Sequence, residues 1–267
     1  MPLIQLIVLA LVQGITEFLP VSSSGHLVLV PMLTGWADQG LALDVAVHVG
    51  TLFAVILYFW ADSVKALRGL GHLVTGRRQT EEARLALLLI IATIPVILAG
   101  FILKATGLSD ALRSMAVLGW TMLGFGILLY IFDQRGATVK SDGDWNVKDA
   151  VTLGLWQAVA LIPGTSRSGI CITGARALGY DRTSAAKIAM LMSIPTIIAS
   201  GALLSLDLIG SETSGLMRDA AIGAVLSFIA AMGALTLMMR LLRSVSYTPY
   251  VIYRVILGVI LLLIAYT

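Results

Sequence analysis

Apolar residues run along this chain in long blocks. Six blocks come close to the roughly 20 residues needed to cross a hydrocarbon layer: Leu43–Trp60, Leu85–Leu103, Arg113–Phe132, Ile188–Leu206, Asp219–Met239 and Tyr250–Tyr266. Two further blocks are interrupted. One runs from Leu3 to Leu19, stops at Pro20 and resumes from Leu27 to Leu33. The other runs from Ala150 to Ile162, stops at Pro163 and resumes from Ile170 to Leu178. Each half is too short to span, and each break is rich in Ser and Gly. Non-helical backbone at membrane depth survives only against protein or a watery cavity. The pattern therefore predicts two re-entrant helix–loop–helix segments.

The two broken blocks resemble each other. Gln13 precedes Gly25 by the same spacing as Gln157 precedes Gly169. In that register Ser22-Ser23-Ser24-Gly25 lies over Ser166-Arg167-Ser168-Gly169, with the prolines offset by one position. Three full spans follow each copy, and an odd number of spans inverts the second copy relative to the first. The expected fold is all-α: a single membrane domain over 1–267, with six transmembrane helices and two re-entrant segments. Its inverted repeats cover approximately 1–133 and 149–267, and the two breaks meet near the midplane.

Composition agrees with the membrane reading. Hydrophobic residues make up 58% of the 267 and charged residues 12%, against about 45–50% and 25% in soluble domains. The mean hydropathy is +0.94. A soluble enzyme, a disordered chain and a collagen-like chain are excluded. The single Cys171 forbids an intramolecular disulfide and reads as a small packed residue. A net charge of +3 would suit nucleic acid, but basic residues also collect in cytoplasmic loops of membrane proteins; no nucleic-acid partner is expected. With both termini outside, the inner loops carry Lys65, Arg68, Arg77, Arg78, Arg84, Arg135, Lys140, Lys148, Arg176, Arg182, Lys187, Arg240 and Arg243. The outer ones carry only Lys104, Arg113 and Arg218. That asymmetry orients the chain. The opening MPLIQLIVLALVQGITEF lacks a basic n-region and a small-x-small cleavage site, so it reads as mature protein and not as a signal peptide.

A charged side chain at membrane depth costs roughly 2.5–3.5 kcal/mol on insertion scales and is a functional candidate by default. Glu17, Arg167 and Arg254 meet that description, with His26 and His48 as titratable companions. Gln13 and Glu17, at i and i+4, share a helix face and can hold a divalent cation through oxygen; they can equally satisfy neighbouring helix ends. The hydroxyls of Ser22, Ser23 and Ser24, with Gly25, can present several donors to one anion. A helix starting there aims its N-terminus at the same point. Ser23 with His26 three residues on also suggests a nucleophile and its base. Thr165, Ser166, Ser168 and Gly169 form the matching half, where Arg167 offers a bidentate fork for phosphate or a structural partner for Glu17. Arg254 either reaches an anionic headgroup or snorkels outward. His48 either faces the cavity or is a satisfied core histidine.

At QGITEFLPVSSSGH (13–26) and PGTSRSG (163–169) the chain resembles the bacterial undecaprenyl-diphosphatase family, also called bacitracin-resistance proteins. The likeness covers essentially the whole chain, including YTPYVIYR at 247–254. Either Ser/Gly stretch alone is a weak match; the two at this separation are specific. The resemblance implies a multi-pass enzyme of the bacterial cytoplasmic membrane. It would hydrolyse undecaprenyl diphosphate to undecaprenyl phosphate and inorganic phosphate, recycling the lipid carrier of cell-wall synthesis. The family's nucleophile falls on Ser23, its histidine on His26 and its arginine on Arg167. Its acidic motif falls on Gln13 and Glu17, where Gln13 lacks the carboxylate many members carry. Mg²⁺ or Ca²⁺ is the implied cofactor, a polyprenyl diphosphate the partner in the surrounding lipid, and a homodimer is compatible. The implied site opens to the outer face.

On this reading Ser23 attacks the terminal phosphorus and His26 takes the hydroxyl proton; direct attack by water is the rival. A lipid-carrier or anion transporter would share the broken helices. The type 2 phosphatidic acid phosphatases also use Ser-Gly-His and Ser-Arg motifs. Here, however, their Lys-rich motif is missing and no His follows Arg167 at the expected distance.

Overall fold

In the computed structural model the apolar blocks are helical. The structure describes residues 1–107, 112, 114–207 and 216–267, without the side chains of 205–207 and 216. Eleven α-helices follow in order among the described residues: α1 (Leu3–Phe18), α2 (Ser23–Thr34), α3 (Leu41–Tyr58), α4 (Trp60–Val74), α5 (Glu81–Thr106), α6 (Met115–Arg135), α7 (Val147–Val159), α8 (Arg167–Ala177), α9 (Arg182–Asp207), α10 (Leu216–Leu241) and α11 (Thr248–Tyr266). Of these α3, α5, α6, α9, α10 and α11 are long and apolar enough to cross a membrane. They match the six expected spans to within a few residues. Arg113, which opens one expected span and enters the charge count, lies outside the described residues, as does the side chain of Leu206.

Polar residues start the helices where loop turns to span. Thr80 Oγ1 accepts the Ala83 N–H at 3.1 Å, and Glu81 and Glu82 occupy the first turn of α5. Ser114 and Asn146 cap α6 and α7 in the same way. Each cap satisfies an otherwise orphaned N–H, and acidic residues suit the positive end of the helix dipole.

Helix α10 is packed by both α1 and α3; α6 pairs with α11, and α5 carries α4 and α7. Small residues allow the close approaches, as expected where helices cannot rely on a hydrophobic driving force between them. A Cβ on Gly50 of α3 would stand 2.1 Å from the Ala224 carbonyl oxygen of α10. We expect Gly50→Val to force these helices apart and to cost about 1–3 kcal/mol, seen as a lower unfolding temperature in detergent. An unchanged temperature would show that the contact yields freely.

Two regions differ from the sequence reading. The stretch after Trp60, read from its charges as an inner loop, is the amphipathic helix α4, separated from α3 by Phe59 alone. Its apolar Trp60, Leu67, Leu70 and Val74 are exposed; they recur at helical spacing in a run too polar to register as a span. Arg176, also assigned to an inner loop, is buried at the end of α8. It donates to the carbonyls of Asp133 and Gly136 at 3.0 Å, Ala137 at 3.2 Å, and Tyr180. These carbonyls end or follow α6 and α8, where no helical N–H is left to serve them. Buried Asp133 meanwhile accepts from Arg182 Nε at 2.7 Å, and buried Asp149 from Tyr180 Oη at 2.6 Å. Buried charge is thus not confined to the residues singled out from sequence.

The two breaks share one local geometry. Ser22 has φ 74° and Ser166 has φ 71°, the only non-glycine residues with positive φ among the described residues. Each caps the following helix: Ser22 Oγ accepts the Gly25 N–H at 3.4 Å and Ser166 Oγ accepts the Gly169 N–H at 3.1 Å. A serine tolerates the left-handed region only under local compulsion. Here the compulsion is the same at both positions, a chain reversing sharply into a capped helix.

Candidate active site

Helix α1 ends at Phe18 and presents Gln13 and Glu17, both buried, one turn apart. The Glu17 carboxylate gathers the first break and the second. Its Oε1 accepts from Arg167 Nη2 at 2.9 Å. Its Oε2 accepts from Ser23 Oγ at 2.5 Å and from Gln13 Nε2 at 3.1 Å. His48 Nε2, on α3, lies 3.8 Å from the same oxygen. A carboxylate so placed keeps its negative charge beside a guanidinium and forms a short, charge-assisted bond to the serine hydroxyl. Gln13, expected to share a helix face with Glu17, and Arg167, offered as its structural partner, both meet the Glu17 carboxylate here, together with Ser23 and His48.

His26 is not part of that constellation. The sequence proximity pairs it with Ser23, but its ring turns the other way. Its Nδ1 lies 2.7 Å from the Ser22 carbonyl and its Nε2 2.6 Å from Tyr253 Oη. The His26 and Tyr253 rings stack with centroids 5.6 Å apart and planes 10° apart. The Ser23 hydroxyl instead donates to Glu17, and the first turn of α2 carries the His26 ring to Tyr253. Tyr253 was missed from sequence; its signal was its place immediately before Arg254.

The remaining break residues line the junction unequally. Ser24 is exposed, while Ser22, Ser166, Ser168 and Thr165 are buried. Ser168 Oγ donates to the Leu19 carbonyl at 2.9 Å, stitching the second break to the first. The Thr165 hydroxyl is buried without a hydrogen-bond partner. Gly25 and Gly169 give room: a Cβ on them would meet Met122 Cε at 2.7 Å and Arg254 Nη1 at 2.9 Å. Arg254 neither snorkels nor points to open space. It is fully buried and donates to Met122 and Thr121 of α6 at 3.2 and 3.3 Å, to Pro20 of the first break at 3.3 Å, and to Gly164 of the second at 3.1 Å. The Pro20 and Gly164 carbonyls lie in the breaks, outside any helix, while those of Thr121 and Met122 lie inside α6, and one guanidinium reaches all four.

Among the described residues no group of three or more His, Cys, Asp or Glu side chains forms a metal centre. A smaller oxygen set exists: Gln13 Oε1 is buried and has no hydrogen-bond partner, beside the Glu17 carboxylate. An unpartnered buried oxygen next to a carboxylate fits a hard cation that completes its shell with phosphate oxygens and water.

Comparison with known proteins bears on what this constellation serves. Residues 6–260 match the family model described as bacitracin resistance protein BacA. An undecaprenyl-diphosphatase of Jannaschia sp. (strain CCS1) is 67% identical over the full length of both chains. One of Ruegeria sp. (strain TM1040) is 65% identical, again over the full length of both. Undecaprenyl-diphosphatase 1 of Rhodospirillum rubrum is 46% identical over all of this chain and 96% of its own. The match spans nearly the whole sequence and both broken segments, so the chain belongs to the bacitracin resistance protein BacA family.

Proposed function

We propose that this chain is an integral membrane phosphatase that hydrolyses undecaprenyl diphosphate to undecaprenyl phosphate and inorganic phosphate. By doing so it returns the lipid carrier to peptidoglycan synthesis and confers resistance to bacitracin. The observation that carries the reading is the 2.5 Å hydrogen bond from Ser23 Oγ to the Glu17 carboxylate, itself held by Arg167. A carrier that only moves a lipid has no need of a serine bonded to a buried base.

In this mechanism Glu17, and not His26, accepts the Ser23 proton as Oγ attacks the terminal phosphorus. Arg167 and the N–H groups opening α2 and α8 bind the phosphoryl oxygens. Undecaprenyl phosphate leaves. In the second half the protonated Glu17 returns its proton to Ser23 Oγ as that oxygen departs from the phosphoserine. The attacking water loses its proton to His26 Nε2, once the Tyr253 hydroxyl swings off that nitrogen, and the imidazolium gives that proton up to the departing phosphate, which restores the neutral ring. Gln13 and Glu17 would hold a Mg²⁺ or Ca²⁺ ion, which when bound offsets diphosphate charge.

We read the architecture as an inverted repeat of two re-entrant segments, with both termini outside the cytoplasmic membrane. The matched φ values at Ser22 and Ser166 support it. So does the exchange of partners: α1 packs on α10, while α7 packs on α5.

Purified protein in detergent is expected to release phosphate from undecaprenyl diphosphate, and EDTA is expected to reduce release to background. Short-chain prenyl diphosphates run alongside report chain-length preference. No phosphate release with Mg²⁺ present, coupled with lipid flux across liposomes, would favour the transporter reading. Full activity in EDTA would remove the cation from the mechanism.

A further inference from the structure

Tyr253 belongs to none of the groups that bind phosphate or exchange protons with Ser23, yet it makes the shorter of the two polar contacts of His26. The Ser22 carbonyl can only accept, so Nδ1 of His26 carries a hydrogen. In the neutral ring Nε2 then holds the lone pair, and the Tyr253 hydroxyl donates to it. Stacking at a 10° interplanar angle fixes the imidazole plane; rotating the ring would break the stack and both hydrogen bonds. Tyr253 is itself anchored, because its neighbour Arg254 is tied to Pro20 and Gly164 in the two breaks.

We propose that Tyr253 is a positioning residue for His26: its hydroxyl and ring hold the imidazole in the Nδ1–H tautomer, which keeps Nε2 the lone-pair nitrogen that the water-activating step uses once the hydroxyl swings aside. The proposal rests on the role given to His26 above. A phenol is a stronger donor and a weaker acceptor than the water that would replace it. The contact therefore favours the neutral imidazole, the form that can take a proton. The charged group that acts on the ring is Arg254, on the same helix as Tyr253. Helix α6 faces the start of α2 with Leu118 and Met122. Replacing the phenol hydroxyl alters none of these.

The test is the pH profile of kcat for the parent, Tyr253→Phe, His26→Gln and the double variant. In Tyr253→Phe the stacked ring remains and the donor is lost, so His26 stays protonated to higher pH. The acid limb is expected to move up by about half to one pH unit. KM should be unchanged and the rate should recover toward the parent's at high pH. His26→Gln should abolish that limb, and the double variant should match His26→Gln. A Tyr253→Phe midpoint equal to the parent's, with His26→Gln impaired, overturns the positioning role alone. Near-parent activity in His26→Gln overturns the base assignment and the proposal with it. An independent readout is the nitrogen NMR signature of His26 in the parent protein. Nδ1 protonation is expected, and Nε2 protonation would refute the assignment.

Discussion

Ser23→Ala and Glu17→Gln are each expected to lower kcat by about 10³–10⁵-fold while leaving KM within a few-fold of the parent. Ser23 donates to Glu17 across 2.5 Å, and in the proposed step that proton passes between them, so they act as a unit. Combining the substitutions should cost little more than either alone, because groups that serve the same step are not additive. Arg167→Lys is a useful companion. It keeps the charge beside Glu17 and loses the planar fork, so it separates phosphate recognition from simple charge neutralisation. Phosphate release in steady state gives the rates, and rapid-quench trapping of a phosphoserine tests the covalent step. Residual activity in Ser23→Ala within about tenfold of the parent would mean that water attacks the phosphorus directly.

Arg254→Met should be the most damaging substitution for folding. It removes a fully buried guanidinium that donates to four carbonyls on α6 and both breaks. A buried carbonyl left without a donor costs about 1–3 kcal/mol, and those of Pro20 and Gly164, outside any helix, lose theirs together; roughly 2–4 kcal/mol is expected after water and relaxation recover part of the loss. Lys is a poor substitute, since one ammonium on a flexible stem cannot span carbonyls on three segments. The measurement is thermal unfolding and monodispersity in detergent. An Arg254→Met protein that melts like the parent but has lost activity would instead return Arg254 to the substrate-contacting role.

Much of this was legible in the amino acids. Long apolar blocks have one low-energy answer in lipid, so the six long helices followed. The Ser/Gly breaks at Pro20 and Pro163 followed from the failure of their halves to reach span length. Glu17 and Arg167 stood out because so few charges lie in apolar surroundings. What stayed hidden depends on direction. Spacing puts His26 three residues from Ser23, but the first turn of α2 points its ring toward Tyr253, more than two hundred positions away in sequence. Arg254 has the composition of an anion-binding residue; its orphaned carbonyl partners come from segments far apart in the chain. Arg176 reads from sequence as an inner-loop charge, because a helix end with unserved carbonyls looks in sequence like any charged boundary.

The position of Arg254 in the chain has a consequence for biosynthesis. Domains are made from the N-terminus onward, so both breaks leave the ribosome before the residue that holds them. Until α11 enters the membrane, the Pro20 and Gly164 carbonyls have no guanidinium, and His26 has no Tyr253 to lean on. A nascent chain already carrying Glu17, Ser23 and Arg167 thus keeps a slack, uncommitted junction. The arrival of one late helix finishes the scaffold and the site together, so a chain that stops before α11 is expected to be inactive.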